Sequence, residues 1–142
     1  MRPQSILMFE RLFLASLAGS LLGFVLTYDQ VMGTLANDPA LQEIGLGNGF
    51  ILGVTAASFA IYLLLWYLIA HRAANVAKWI LVVFTVIGVL AMVPSLAGPW
   101  GAMQLLSLTV CALEVAAVVY LFRADAVAWL KGEAPPDPAA FD

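Results

Sequence analysis

Charge is the scarcest property of this 142-residue chain. Only 11% of its residues are Asp, Glu, Lys or Arg and 63% are hydrophobic, whereas soluble domains average about 25% charged. That excludes a water-soluble domain and puts the chain in a bilayer. There is a single cysteine, Cys111, so no intrachain disulfide can form. There is a single histidine, His71, which excludes bis-histidine haem ligation and a histidine-rich metal site within one chain. Six basic residues against nine acidic ones give a net charge of -3 with no clustered basic face, which argues against a nucleic-acid partner. No Ser or Thr keeps the company of His and Asp that a triad needs. Asp29, Asp38 and Glu43 lack the spacing of a metal-binding loop. No catalytic residue, cofactor or metal is therefore expected, and the chain is not read as an enzyme.

What the chain does have is apolar length. Segments 6–28, 49–70, 76–93 and 102–122 are long enough to cross a hydrocarbon core, which takes about 20 helical residues. The expected fold is an all-α membrane protein: four transmembrane helices in an up-down-up-down bundle over 1–123. A short interfacial helix over 124–132 and a disordered acidic tail over 133–142 follow. Arg2 and the small residues of Ala-Ser-Leu-Ala-Gly-Ser would also suit a secretory signal. Glu10-Arg11 interrupts that apolar stretch, however, and the run continues to Tyr28, so a retained helix is expected.

The basic residues Arg2, Arg11, Arg72, Lys78, Arg123 and Lys131 all fall on the side shared by 1–5, 71–75 and 123–142. None falls on 29–48 or 94–101, and the positive-inside rule then places both termini in the cytoplasm. Lys78 is expected to carry its charge to the interface on its long stem. Trp66, Tyr67, Trp79 and Trp100 stand near span ends, where aromatic belts form. In the outer loop, Asp38, Pro39 and Gly45 have the order of cap, first helical residue and stop, which predicts a short helix. In the segment after the fourth span, Trp129 and Leu130 should dip into the bilayer while Lys131 faces headgroups.

In lipid, helices associate by close packing of small residues. Ala15, Gly19 and Gly23 form one ridge at four-residue spacing, and Gly49, Gly53 and Ala57 form another. The expectation is that these two ridges pack against each other as a hairpin, with a face toward a second protomer as the alternative.

The fourth span carries a polar stripe of Gln104, Ser107, Cys111 and Glu114 on one helix face, which should point into the bundle. Glu114 lies nine residues before Arg123, about 13 Å from the cytoplasmic end at 1.5 Å per residue. Glu10 and Arg11 lie about 10 and 12 Å deep by the same rise. The first and fourth helices close the ring of such a bundle, so a buried Arg11–Glu114 ion pair is expected. In the functional alternative, Glu114 titrates in a proton or cation path.

The stretches Arg-Pro-Gln-Ser-Ile-Leu-Met-Phe-Glu, His-Arg-Ala-Ala-Asn-Val-Ala-Lys-Trp-Ile and Tyr-Leu-Phe-Arg-Ala-Asp-Ala-Val-Ala-Trp-Leu together resemble a group of small four-span proteins of proteobacteria. That resemblance implies a bacterial inner-membrane location and supplies neither an activity nor binding residues. In size and span count the chain is also similar to small multidrug-resistance transporters, which use a first-span carboxylate. Here the first-span acid, Glu10, comes early and is followed directly by Arg11, so no site is carried over. The functional expectation is a non-enzymatic accessory or interaction subunit, the alternative a small proton-coupled transporter or proton-conducting protein using Glu114. The expected partners are the lipid bilayer and either another membrane protein or further copies of the chain.

Overall fold

A computed structural model describes residues 3–37, 48–98 and 100–132. Among them are five α-helices and no strand: α1 (Gln4–Asn37), α2 (Asn48–Arg72), α3 (Asn75–Met92), α4 (Ala102–Tyr120) and α5 (Ala124–Lys131). A 3-10 turn, Val93–Ala97, continues from α3. The helices α1 to α4 are each long and apolar enough to cross a membrane. The short helix expected at Asp38 to Gly45 and the tail beyond Gly132 lie outside the described residues.

α1 is longer than the apolar run suggests. It continues past Tyr28 and leaves Asp29 exposed on the helix rather than in a loop. Nothing between Tyr28 and Asn37 breaks the backbone ladder, and the first strong breaker is Pro39, which disfavours helical geometry in the residue before it. α2 and α3 are separated by only Ala73 and Ala74. Ala73 takes a left-handed φ of 51°, and the Ala74 N–H donates to Leu68 O at 3.0 Å, so α2 ends with its last carbonyls partly satisfied.

The four long helices form a closed ring, with α1 against α2, α2 against α3, α3 against α4 and α4 against α1. The α1–α4 contact is the most extensive. Its cause is the small-residue ridge of α1: a Cβ added to Gly19 would lie 2.6 Å from Val110 Cγ2, and one on Gly23 would lie 3.7 Å from Leu106 Cδ2. The expected hairpin of ridges is therefore not what forms. The α1 ridge packs on α4, Ala15 is exposed, and Gly49, Gly53 and Ala57 on α2 are exposed, with no described residue within 4 Å of a Cβ placed on either glycine. The branched Val110 and Leu106 fill the groove that Gly19 and Gly23 leave.

Burial is concentrated at one end. The core takes Ile6, Phe9 and Phe13 from α1, and Leu65, Ile69 and Ala70 from α2. α3 adds Ala77 and Leu81, the end of α4 adds Ala117, Val118 and Leu121, and α5 adds Ala126 and Leu130. Phe9, Phe13, Tyr62 and Phe84 form a chain of rings across α1, α2 and α3, with successive centroids 5.4, 6.1 and 6.0 Å apart. Outward-facing residues are apolar instead of polar: Leu22, Leu64, Leu90 and Leu105 are all more than half exposed. That surface suits lipid rather than water.

Lys78 departs from expectation, because it is buried. Its Nζ sits 4.1 Å from the ring centroid of Phe122 and 5.7 Å from that of Trp79. The ring faces supply the partial negative charge that the interface was expected to provide. His71 is exposed, its ring stacked on Tyr67 at 5.1 Å.

α5 docks on the bundle by a polar latch. The Ser5 N–H donates to Asp125 Oδ2 at 3.1 Å, and the Ser5 hydroxyl donates to Oδ1 at 2.7 Å. Ser5 lies in the first turn of α1, whose N–H groups have no partner within the helix and whose dipole favours an anion. A carboxylate from the far end of the chain thus caps α1. Partial burial of Asp125 pushes its pKa up, but the Ser5 hydroxyl and N–H outweigh that and hold it below the usual aspartate value. At its other end α5 closes on Gly132, whose φ of 70° suits the left-handed position after a helix.

Two measurements check this packing. Gly19→Leu should lower thermal stability in detergent by several degrees, whereas Gly53→Leu should leave the melting temperature of the isolated chain within a degree of the parent. Equal losses would mean that α2 also packs through its ridge. Asp125→Ala should cost about 0.5–2 kcal/mol at neutral pH, the range for a lost helix cap. A depressed folded-state pKa confers stability above the unfolded pKa and loses it as pH falls through the folded value. Parent and variant should therefore converge in acid; a gap that persisted at pH 2 would show that the latch is not electrostatic.

Candidate functional site

The sequence offers no catalytic set, so the site is built around Glu114, the one acidic residue of α4. A cavity of about 480 Å³ lies between α1, α3 and α4 and ends on this side chain. α4 lines it from Met103 to Glu114, a length of about 16 Å at 1.5 Å per residue. α3 contributes Thr85 to Met92, and α1 contributes Gly19 to Thr27. Met92 is the last residue of α3 and Met103 the second of α4, so the cavity begins at the ends of these helices and stops at the level of Thr85 and Glu114. One turn further along, Leu81, Ala117 and Val118 are buried, and the bundle is closed. A smaller cavity of about 130 Å³, lined by Phe13, Ser16, Leu17, Ser20, Phe59, Tyr62 and Glu114, shares Ser20 and Glu114 with the first.

Glu114 is half-buried, and its Oε1 accepts a hydrogen bond from the Thr85 hydroxyl at 3.2 Å. The expected ion pair does not form, because Arg11 is exposed on α1 and no contact joins it to Glu114. With Gly19 opposite Val110 and Gly23 opposite Leu106, Glu114 stands level with Ala15, about one turn from Arg11, so the matched depths fixed neither level nor direction. On α1 the positions facing α4 are those of Gly19 and Gly23. Arg11 stands eight residues before Gly19, a displacement of about 80° around the helix at 100° per residue, which turns its long side chain away. Glu10 is half-buried in the first turns of α1 and makes contacts of its own.

The polar residues of α4 differ in their surroundings, and Ser107 is exposed. Ser107, Cys111 and Glu114 all line the larger cavity, while Gln104, partly buried and engaged elsewhere, does not. Among the described residues no group of three or more His, Cys, Asp or Glu side chains could hold a metal ion.

Thr85 and Tyr62 belong to this site and were not anticipated. Thr85 had a signal: it is the only Ser or Thr of α3 and lies ten residues into that helix, about 15 Å deep by the helical rise. That is the level of Glu114. Tyr62 had none, since a tyrosine in an aromatic-rich span reads as packing.

No protein family, curated protein or solved structure matches the chain. The resemblance to small proteobacterial four-span proteins thus rests on the sequence stretches alone, and the site must be read from its chemistry.

A hydrogen bond to a charged group contributes about 1.5–3 kcal/mol, so Thr85→Val should destabilise the bundle by that order. In a Glu114→Leu background the same change should cost under about 0.5 kcal/mol, because no carboxylate remains to be served. Arg11→Gln should also fall within about 0.5 kcal/mol, as an exposed substitution does. A thermal or denaturant cycle in which Arg11, and not Thr85, couples to Glu114 would reverse the assignment.

Proposed function

We propose that the chain is a multi-pass protein of the bacterial inner membrane with both termini in the cytoplasm, acting without chemistry of its own as an interaction subunit for another membrane protein. The location follows from the resemblance of its sequence stretches, and the orientation from the one-sided distribution of Lys and Arg. Alternation of the helices is supported by the composition of the buried core, which takes early residues of α1 and α3 and late residues of α2 and α4.

The interaction reading rests on α2. Its ridge of Gly49, Gly53 and Ala57 is exposed, and none of the described residues lies within 4 Å of a Cβ placed on either glycine. In lipid such a ridge is the surface on which a second helix packs closely. The occupant is a small-residue helix of a partner protein.

The alternative, a small transporter or proton-conducting protein, is favoured by a separate observation: the cavity that reaches from the helix ends to Glu114. An ionisable side chain inside a span is costly unless a cavity, a partner or a function accommodates it.

A single-cysteine series in a Cys111→Ser background tests the first reading. A cysteine at Asn37 should react with an impermeant thiol reagent added to whole cells, and one at Arg72 only after lysis. A cysteine at Gly53 should form a disulfide with a different membrane protein in native membranes, and Gly53→Leu should abolish co-purification of that protein in mild detergent. A crosslink only between two copies of this chain would replace the partner with a homo-oligomer, and no crosslink at all would remove the interaction reading.

A further inference from the structure

We propose that the cavity ending on Glu114 is a binding site for a primary or secondary amine with a small apolar body. This deepens the second reading of that cavity but requires no transport.

Of the described residues lining the larger cavity, Glu114 is the only ionisable acid or base apart from the Cys111 thiol, so none of them is a Lys, Arg or His that could neutralise its carboxylate. Thr85 occupies Oε1, and no donor among the described residues reaches Oε2.

The hydroxyl groups point to the same chemistry. Thr27 donates to Gly23 O at 2.8 Å and Ser107 to Met103 O at 3.0 Å, so each spends its hydrogen within its own helix. Thr85 spends its hydrogen on Glu114. A hydroxyl that has donated retains only acceptor capacity. The cavity therefore offers acceptors almost throughout, with Ser20 the exception among its hydroxyls. Its complement is a ligand rich in N–H donors and carrying positive charge.

The rest of the wall selects the class of cation. Val89, Leu106, Val110, Met92 and Met103 are apolar, and the volume of about 480 Å³ falls within the roughly 300–1,000 Å³ of small-molecule sites. A bare divalent ion needs about six or more oxygen ligands, whereas among the described residues the closed end of this cavity offers only the Glu114 carboxylate and the Thr85 and Ser20 hydroxyls. A quaternary ammonium has no N–H to donate and is held by aromatic faces, and none of the described residues lining this cavity is aromatic. A protonated primary or secondary amine satisfies both requirements: its N–H groups reach Oε2 and the hydroxyl oxygens while its apolar body lies along α4 and α3.

The test is equilibrium dialysis of radiolabelled phenethylamine at pH 7 against the full chain in detergent micelles, with empty micelles as the blank. Saturable binding of one ligand per chain is expected. Glu114→Gln should weaken it at least tenfold. Gly88 lines the cavity, and a Cβ placed on it meets nothing within 4 Å, so Gly88→Leu fills the space without touching the charge and should also abolish binding. Thermal melts report whether each variant is folded; should Glu114→Gln fail to fold, Gly88→Leu decides alone. Binding that survives in the folded variants, no saturable binding in the parent, or equal binding of phenethyl alcohol or benzyltrimethylammonium would overturn the proposal. Saturable binding without flux of the amine in liposomes would end the transport reading and leave the site standing.

Discussion

The close approach of α1 and α4 at Gly19 and Val110 is the contact on which the rest of the bundle depends. Lipid gives helices little hydrophobic reason to associate, so packing itself must hold them, and a glycine is what lets a branched side chain come this near another backbone. Glu114 stands one turn beyond Val110 on the same face of α4. Seating Val110 on Gly19 therefore sets the carboxylate near Ser20, with which it lines both cavities. α3 packs less extensively against α4 than α1 does, and the space left among the three helices is the cavity. Tight packing on one flank and loose packing on the other thus have a single origin in where the small residues lie.

The bundle accommodates its internal charges by unlike means. Glu114 is met by a neutral hydroxyl and a cavity, Lys78 by the ring faces of Phe122 and Trp79, and Asp125 by the open N-terminus of a helix. None of the three uses an opposite full charge. A buried ion pair must recover the desolvation of two ions from one geometry. A hydroxyl, a ring face or a set of backbone N–H groups needs only one ion to be desolvated. The arrangement leaves Glu114 open to a ligand, which a salt bridge would have prevented.

The spans were legible because apolar length is a strong, nearly context-free signal, and all four recur within a few residues except at the C-terminal end of α1. The adjacency of the first and fourth helices was legible from bundle topology. Which faces meet was not, because small residues mark a surface suited to close packing without naming its occupant: Gly19 and Gly53 look alike in sequence, yet one is packed and the other open. The site was half legible. Glu114, Ser107 and Cys111 share a face by spacing alone, but choosing between Arg11 and Thr85 as the partner needed the rotation of α1, which depth cannot supply. The Asp125 latch joins residues 120 positions apart, and nothing local to either residue announces it.

That separation bears on how the protein is made. A chain leaving the ribosome presents α1 first and α5 last, and a contact cannot form before both of its members exist. α1 must therefore wait in the bilayer through the synthesis of α2 and α3 before its principal neighbour, α4, arrives, and longer still before Asp125 caps its first turn. Closure of the buried end is then a late event of biogenesis. A chain interrupted shortly before α5 would contain all four described spans yet lack both the side chains that complete its core and the carboxylate that caps α1.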